Sequence, residues 1–327
     1  MRKVLGVMGC FVHIVFVLFT MIIFTSPFSG GLDIAQRVNN DYTAYDNNLN
    51  FEGTAGTVDT EDINMYEPEN YGYGRRATVA ILMYHHLAEV AVNDWTVTPE
   101  GFERQMQWLA GNGFNTVSLR DLYNFVNFGT ELPENPVVIT FDDGYLSVYE
   151  YAFPILYRYG LHASIFVIGS QVGTSYYKDT GYPTTPKFCF EQARTMVGTG
   201  LIEIQSHTYD MHQWAPFEPG PARENILIMY GENYVDYIAA LTYDHLRISY
   251  LIEAATGQSV FAVAFPFGYY DELSLNVLKS LGVNVTLTVQ HGFNIISEGQ
   301  PQSLHLLNRK NVIDTLDEYE FMKLLRQ

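Results

Sequence analysis

The sequence predicts an α/β fold: a distorted, seven-stranded (β/α) barrel of the TIM type, preceded by an N-terminal transmembrane helix and a disordered linker. Three observations support this prediction. Short apolar, β-rich runs alternate with helix-like stretches over residues 75–327, a long apolar run lies near the N-terminus, and a polar, acidic stretch separates the two. The chain therefore divides into residues 1–31, 32–74 and 75–327.

The apolar run is long enough to cross a membrane. After Arg2 and Lys3, residues 4–24 contain no acidic or basic side chain except one histidine. As a helix this run would span about 31 Å, the thickness of a hydrocarbon core. A cleavable signal peptide has a shorter apolar region, of about 7–15 residues. We therefore expect residues 1–31 to form a cytoplasmic stub and a single-pass cell-membrane anchor, with the rest of the chain extracytoplasmic. A cleaved signal and secretion is the alternative.

The stretch that follows, residues 32–74, is polar and acidic. It carries nine acidic residues against a single base, Arg37, and shows no apolar periodicity. We expect a disordered, self-repelling linker. The whole chain has a formal net charge of −18, which would repel phosphate backbones, so we expect no nucleic-acid partner.

The remaining residues show a β-α alternation. Seven apolar runs are predicted as strands, at residues 79–84, 114–119, 137–141, 163–168, 202–206, 261–265 and 283–289. Five amphipathic stretches are predicted as helices, at residues 102–110, 145–159, 191–197, 243–255 and 272–281. This pattern fits an incomplete TIM-type barrel. An open doubly wound sheet is the alternative, although no glycine-rich phosphate-binding motif follows any of the runs.

Active sites of such barrels lie at the carboxyl ends of the strands, and the third run ends in a pair of acids. Residues 137–141 lead into Asp142-Asp143-Gly144-Tyr145. Two adjacent carboxylates repel each other unless a cation or a proton compensates, so a bound metal ion is one interpretation. A turn or a helix N-cap is the other, because Asp and Gly favour both.

The fifth run ends in a pair of histidines. His207 follows residues 202–206 directly, and His212 comes five residues later. Two residues five apart do not share a helix face, but a loop could bring both imidazoles to one ion. Two histidines and one carboxylate form an open metal site with positions left for water. The same ligand set would suit a mononuclear iron oxygenase.

The sixth run ends in a loop, Pro266-Phe267-Gly268-Tyr269-Tyr270, whose aromatic rings could form the floor of a sugar site or belong to the core.

Together these motifs resemble those of the polysaccharide deacetylases of carbohydrate esterase family 4, the NodB-homology group. The similarity covers residues 77–312 and is carried by Met83-Tyr84-His85, Thr140-Phe141-Asp142-Asp143-Gly144-Tyr145, the segment from Ser206 to His212, and Phe265-Pro266-Phe267-Gly268. The histidine spacing and the Pro-Phe-Gly loop are most similar to the branch that includes exopolysaccharide deacetylases.

The resemblance implies a role for each motif residue. Asp142 would be the general base, and Asp143, His207 and His212 would hold one divalent metal ion, usually zinc. The backbone N–H of Phe267 would stabilise the oxyanion. A metal ion that activates water and a neighbouring carboxylate that takes its proton would suit hydrolysis of an acetyl group.

Some family features are absent. Many members have an Arg in the Pro-containing loop that steadies the base, whereas the matching position here is Ala264. The proton donor to the leaving group is unassigned, with His291 and His305 as candidates. His85 either faces the site and contacts the substrate or is a structural histidine.

We therefore predict a hydrolase that removes N-acetyl groups from amino-sugar residues of a cell-surface or extracellular polysaccharide. Its partners would be an acetylated polysaccharide or oligosaccharide and, through the N-terminal helix, the membrane. Hydrolysis of O-acetyl esters is one alternative. A non-catalytic glycan-binding relative is the other, favoured by the missing Arg and opposed by the intact ligand set.

Overall fold

The computed structural model describes residues 74–326. The predicted anchor, residues 1–31, lies outside the described residues, and so does the predicted linker, residues 32–74, except for Gly74. No helix within residues 74–326 is long and apolar enough to cross a membrane.

The described residues contain short strands and seven α-helices in alternation. The strands are β1 (Arg76–Tyr84), β2 (His86–Leu87), β3 (Thr96–Val97), β4 (Asn115–Thr116), β5 (Pro136–Phe141), β6 (Ala163–Val167), β7 (Ile202–Ser206), β8 (Ala262–Ala264), β9 (Val285–Leu287), β10 (Asn294–Ser297) and β11 (Lys310–Asn311). The α-helices are α1 (Pro99–Gly111), α2 (Leu119–Phe128), α3 (Phe153–Tyr159), α4 (Phe190–Val197), α5 (Tyr234–Thr256), α6 (Glu272–Ser280) and α7 (Glu318–Leu325). A π-helical turn, Val148–Ala152, precedes α3, and 3₁₀ turns lie at Gly169–Gln171, Lys178–Thr180, Ala215–Phe217, Pro266–Gly268 and Pro301–Leu304.

The main sheet has the strand order β10-β1-β5-β6-β7-β8-β9. Neighbours from β1 to β9 are parallel, and β10 pairs with β1 in the antiparallel sense. The short strand β4 pairs with the start of β5, and β2 and β3 form a separate pair. The carboxyl ends of the parallel strands therefore lie along one edge of the sheet.

The sheet curls so that its first and last strands approach the same segment. Leu307 forms a parallel bridge with Leu287 of β9, and Lys310 in β11 pairs in parallel with Leu82 of β1. The chain between residues 307 and 311 thus lies between the two ends of the parallel sheet. The fold is an α/β architecture with a curled, incomplete barrel, which confirms the coarse form of the fold prediction.

Both faces of the parallel sheet are buried, as expected when helices cover it. Leu82 and Ile139 belong to a core cluster shared with α1, α3, α4 and α5, whereas Ile81 and Val138 belong to a second cluster. Successive strand residues point to opposite faces. By this alternation Asp142, just past the end of β5, lies on the face of Val138.

Each predicted run contains an observed strand, but the run at residues 114–119 is too long. The structure has only β4 there, and Ser118 is the N-cap of α2, a helix that we did not predict. The hydroxyl of Ser118 accepts a hydrogen bond from the backbone N–H of Asp121, whose carboxylate accepts one from the backbone N–H of Ser118. This capping box fixes the helix start, so the strand prediction was wrong beyond Thr116.

Candidate active site

Three strand ends bring the predicted site residues together. Asp142 and Asp143 follow β5, His207 follows β7, and Phe267 lies in the 3₁₀ turn after β8. The parallel arrangement explains this convergence, because the carboxyl ends of neighbouring parallel strands meet at the same edge.

Asp143, His207 and His212 form a cluster whose geometry suits a metal ion. One ligand atom from each residue lies within 4.8 Å of the other two. The Nε2 atoms of His207 and His212 are 3.6 Å and 3.7 Å from Oδ1 of Asp143. That buried oxygen has no hydrogen-bond partner among residues 74–326. An orphaned carboxylate oxygen facing two imidazole nitrogens is what a cation would satisfy.

His207 is held in a ligand-like orientation by the strand beside it. Its Nδ1 lies 2.8 Å from the carbonyl oxygen of Ala264 in β8. An imidazole that donates one N–H to a backbone carbonyl presents its other nitrogen, here Nε2, as a ligand. The residue that stands where an arginine was expected thus orients a proposed ligand through its backbone.

The backbone at the site adopts conformations that side chains other than glycine rarely take. Asp143, Thr208 and Phe267 have φ values of 69°, 72° and 55°. Such strain costs of the order of 1–3 kcal/mol per residue and tends to cluster at functional sites. Gly144 also has a positive φ, and a Cβ there would lie 3.0 Å from Cγ1 of Val167, so the turn after Asp143 requires a glycine.

The loop between the two histidines is anchored by Asp244 of α5, which the sequence analysis missed. The two oxygens of its carboxylate accept hydrogen bonds of 2.7 Å from the backbone N–H groups of Tyr209 and Asp210. Burial raises the pKa of Asp244 to about 6, although these two hydrogen bonds oppose the rise. The loop that carries His212 is therefore attached to the longest helix of the described chain.

Asp142 forms a bidentate ion pair with Arg309, a second residue that the sequence analysis missed. Nη1 and Nη2 of Arg309 each lie 2.7 Å from a different carboxylate oxygen of Asp142. The arginine is fully buried, and its Nε donates to the carbonyl oxygen of Thr288. The Pro-containing loop supplies no arginine, since Ala264 stands there, but residues 307–311, which lie between β9 and β1, supply a guanidinium to Asp142 instead.

This ion pair controls the charge of Asp142. Burial alone would raise the pKa of the Asp142 carboxyl. The charge of Arg309 and, to a smaller extent, the imidazoles of His207 and His85 outweigh burial and hold the pKa below its usual value. Asp142 is therefore ionised at neutral pH and can accept a proton.

Lys187, rather than Arg309, is the cation that lowers the pKa of Asp143 most. The Lys187 side chain is buried, and its Nζ lies 3.3 Å from the ring centroid of Tyr145. Burial lowers the pKa of Lys187 to about 8, against the opposing influence of Asp143. Burial would likewise raise the pKa of Asp143, but Lys187, His212 and His207 outweigh it and hold that pKa well below its usual range.

His85 faces the site. Its Nε2 lies 4.0 Å from Oδ2 of Asp142, its ring contacts Trp95, and its Nδ1 has no hydrogen-bond partner in the described part of the chain. Burial lowers the pKa of His85, partly against the charges of Asp142 and Asp143. The imidazole is therefore neutral at neutral pH.

The other two candidate proton donors lie elsewhere. His291 is exposed, and Nδ1 of His305 lies 3.5 Å from the hydroxyl of Thr286. Within residues 74–326 neither forms a hydrogen bond or ion pair with Asp142 or Asp143. The structure does not bring them to the site.

A cavity of about 330 Å³ opens beside the cluster. Asp143, His212 and Phe267 line it on the side of the cluster, and Lys187 and Trp214 also face it. Phe267 contacts His212 edge to face, with ring centroids 4.6 Å apart. The cavity is thus a place where a substrate could reach the cluster.

The chain is similar to known polysaccharide deacetylases. The sequence profile described as "Polysaccharide deacetylase" matches residues 129–286. "Putative polysaccharide deacetylase YxkH" of Bacillus subtilis (strain 168) is 27% identical over 236 residues, which cover 72% of this chain and 72% of that protein. "Poly-beta-1,6-N-acetyl-D-glucosamine N-deacetylase" of Escherichia coli (strain K12) is 25% identical over 233 residues, which cover 64% of this chain and 34% of that protein. The match thus spans about a third of the E. coli protein.

A solved structure shows the same fold. The de-N-acetylase of Aggregatibacter actinomycetemcomitans superposes with a TM-score of 0.64 at 22% identity, and the match covers 76% of this chain and 100% of that chain.

Proposed function

The chain belongs to the polysaccharide deacetylase family, whose members are hydrolases of carbon–nitrogen bonds, and from this premise we propose that it removes N-acetyl groups from amino-sugar residues of a cell-surface or extracellular polysaccharide. The observation that carries the proposal is the cluster of Asp143, His207 and His212 beside the Asp142–Arg309 ion pair. The name of the E. coli relative supports a polymer of N-acetylglucosamine as the substrate class.

In this proposal Asp143, His207 and His212 hold one divalent ion, and the nitrogen-rich ligand set favours zinc. Such an ion would lower the pKa of water towards about 7 and polarise the acetyl carbonyl. Burial, helped by the neighbouring His207, lowers the pKa of His212 to about 4. His212 therefore stays in the neutral form that binds metals.

Asp142 takes the proton of the attacking water. Its ion pair with Arg309 keeps the carboxylate ionised and fixes both of its oxygens. Because Arg309 is fully buried, water cannot screen the pair. Asp142 therefore does not bind the metal ion and remains available to accept a proton.

In this proposal His85 passes a proton to the leaving nitrogen. It is neutral before the reaction, so it can receive the proton that Asp142 has taken once the 4.0 Å between Nε2 and Oδ2 shortens to a hydrogen bond in the substrate complex. Donation of this proton to the nitrogen as the carbon–nitrogen bond breaks restores both groups. The backbone N–H of Phe267, in its left-handed turn, would stabilise the oxyanion.

We also propose that the protein is a single-pass membrane protein with its catalytic domain outside the cytoplasm. The apolar run at residues 4–24 supports this location, and an extracellular polymer would be accessible there. Fractionation followed by protease treatment of intact cells tests it. Recovery in the soluble cytosolic fraction would contradict it.

Acetate release tests the activity. The full-length chain should release acetate from N-acetylated glucosamine polymers, whereas the matched variant Asp142→Asn should not. An O-acetylated xylan serves as the competing substrate. Faster release from the ester would favour the O-acetyl alternative, and no release from either would favour a glycan-binding relative.

A further inference from the structure

Lys187 is attached through its backbone to the turn that follows Asp143. It forms an isolated antiparallel bridge with Tyr145, and the backbone N–H of the neighbouring Phe188 donates a hydrogen bond of 3.1 Å to the carbonyl oxygen of Gly144. The position of Lys187 relative to Asp143 is therefore set by main-chain contacts on both sides of the turn, and not by the reach of a long surface loop.

The ammonium group of Lys187 is buried beside the site without a direct partner. Only 7% of the residue is exposed, and its Nζ lies 3.3 Å from the ring centroid of Tyr145. Within residues 74–326 this nitrogen forms no hydrogen bond and no ion pair. Lys187 lines the same cavity as Asp143 and His212. A buried charge is costly unless other charges compensate it, so the surrounding groups must do so.

The charge of Lys187 acts on two of the three proposed metal ligands. Burial raises the pKa of Asp143, and Lys187 is the charge that opposes this rise most. Burial in turn lowers the pKa of Lys187, and Asp143 opposes that fall. Lys187 also contributes to the low pKa of His212, after burial and the neighbouring His207. In the metal-free protein Lys187 is therefore the positive charge that compensates Asp143.

A divalent ion in the proposed ligand cluster competes with Lys187 for the same carboxylate. Without the ion, Arg309 compensates Asp142 and Lys187 compensates Asp143, so each acid has one positive charge near it. A divalent ion brings two more positive charges to the side of the site where Lys187 already supplies one. Like charges repel each other more strongly where the protein excludes water. The ammonium that stabilises the metal-free site must therefore weaken the binding of the ion.

We propose that Lys187 is a counter-ion for Asp143 that competes with the metal ion and so sets the affinity of the site for zinc. This inference rests on the metal site of the proposed function, but not on its substrate. Lys187 has opposite effects on the two forms of the protein, because it stabilises the metal-free fold by compensating a buried carboxylate and destabilises the zinc-loaded form by repulsion. Zinc loading consequently requires a higher zinc concentration than the three ligands alone would need.

Zinc affinity, measured by competition with a chromophoric chelator, tests this role. The full-length chain and its variants Lys187→Met and Lys187→Gln are titrated with zinc at neutral pH. Methionine keeps a long unbranched side chain and glutamine keeps a polar tip, whereas neither keeps the charge. Both substitutions should lower the Kd for zinc about tenfold, because each removes the repelling ammonium.

The matched control is Lys323→Met, which removes the same charge from an exposed position on α7. Its Kd for zinc should equal that of the unsubstituted chain. Urea unfolding with and without saturating zinc then separates charge competition from a general loss of packing. Without zinc, Lys187→Met should unfold at a lower urea concentration than the unsubstituted chain, and zinc should narrow or reverse this difference.

The possible outcomes are distinct. A Kd for zinc in the two Lys187 variants that equals or exceeds that of Lys323→Met would overturn the proposed role of Lys187, and so would a difference in urea stability that zinc leaves unchanged. Tighter zinc binding by the Lys187 variants, without acetate release by the unsubstituted chain, would keep this role and overturn the proposed activity. Failure of the unsubstituted chain to bind zinc would overturn both the metal site and the role of Lys187.

Discussion

The two neighbouring acids at the end of β5 have different partners. Asp142 is paired in bidentate fashion with a fully buried arginine that comes from the far end of the chain. Asp143 faces two imidazoles and has one buried oxygen without a hydrogen bond among the described residues. Lys187, the cation that lowers the pKa of Asp143 most, forms no ion pair with it within residues 74–326.

This difference indicates how the chain separates a base from a ligand. A carboxylate already engaged by a fixed guanidinium on both oxygens is unavailable to a metal ion but remains a proton acceptor. A carboxylate with an unsatisfied oxygen facing two imidazole nitrogens is available to an ion. The peptide turn at Gly144 and the positive φ of Asp143 direct the two side chains to these different surroundings.

The largest expected effect comes from removing a proposed metal ligand. His207→Ala should abolish both zinc binding and acetate release, because it removes one of the three proposed protein ligands, the imidazole that β8 orients. Elemental analysis and activity of the purified chain measure this, and chelation of the unsubstituted protein should cause the same loss, reversible by zinc. His305→Ala is the control. Full metal occupancy in His207→Ala would rule out the proposed site.

The second expected effect separates the two acids. Asp142→Asn should reduce kcat by about 10²–10⁴, the usual contribution of a general base, without loss of zinc. Asp143→Asn should lose both zinc and turnover. The division of roles would be wrong if Asp142→Asn emptied the metal site while Asp143→Asn left it occupied.

The third expected effect concerns Arg309. Arg309→Met leaves Asp142 buried without its partner, which typically costs about 3–5 kcal/mol in free energy of unfolding. The double variant Arg309→Met/Asp142→Asn should recover part of this loss, because no unpaired charge remains. Urea unfolding of the four proteins of this double-mutant cycle gives the coupling energy. Strictly additive effects would mean that the pair does not stabilise the fold.

The strands and the proposed ligands could be predicted from the sequence because their signals are local. An apolar run that ends in Asp142-Asp143-Gly144 or in Ser206-His207 shows both the strand and the polar residues at its end. The α2 helix also had a local signal, Ser118 followed three residues later by Asp121, which the apolar run around it obscured.

Arg309 had no comparable local signal. It is 167 residues from Asp142 in the sequence, and the segment around it forms only the two-residue strand β11. Its position depends on how far the sheet curls, since residues 307–311 reach Asp142 only when they lie between β9 and β1. Lys187 and Asp244 were missed for the same reason, because tertiary packing brings them to the site.

The smallest expected effect tests whether the site or the rest of the fold makes the protein sensitive to acid. Burial lowers the pKa of both His212 and His245 to about 4. His245 lies on α5, is 3% exposed, and its Nδ1 has no partner among the described residues. Between the ordinary value of 6.5 and about 4, the unfolded chain therefore binds more protons than the folded protein. The free energy of unfolding should fall as pH falls through this window, by up to about 1.4 kcal/mol per pH unit for each histidine.

Zinc should change the contribution of His212 to the pH dependence and leave that of His245 unchanged. The ion competes with protons for His212, so zinc-loaded protein should lose stability more steeply in acid than metal-free protein. His245→Gln should reduce the slope by a similar amount in both forms, and His245→Leu provides a variant without a buried polar group.

Asp244, whose pKa is raised to about 6, acts in the opposite direction between its ordinary value of 3.8 and 6, and it does so in every variant. Urea unfolding at pH 4.5, 5.5 and 6.5 measures the slopes. If both His245 variants kept the slope of the unsubstituted protein, His245 would titrate equally in the folded and unfolded states and could not contribute to the acid sensitivity.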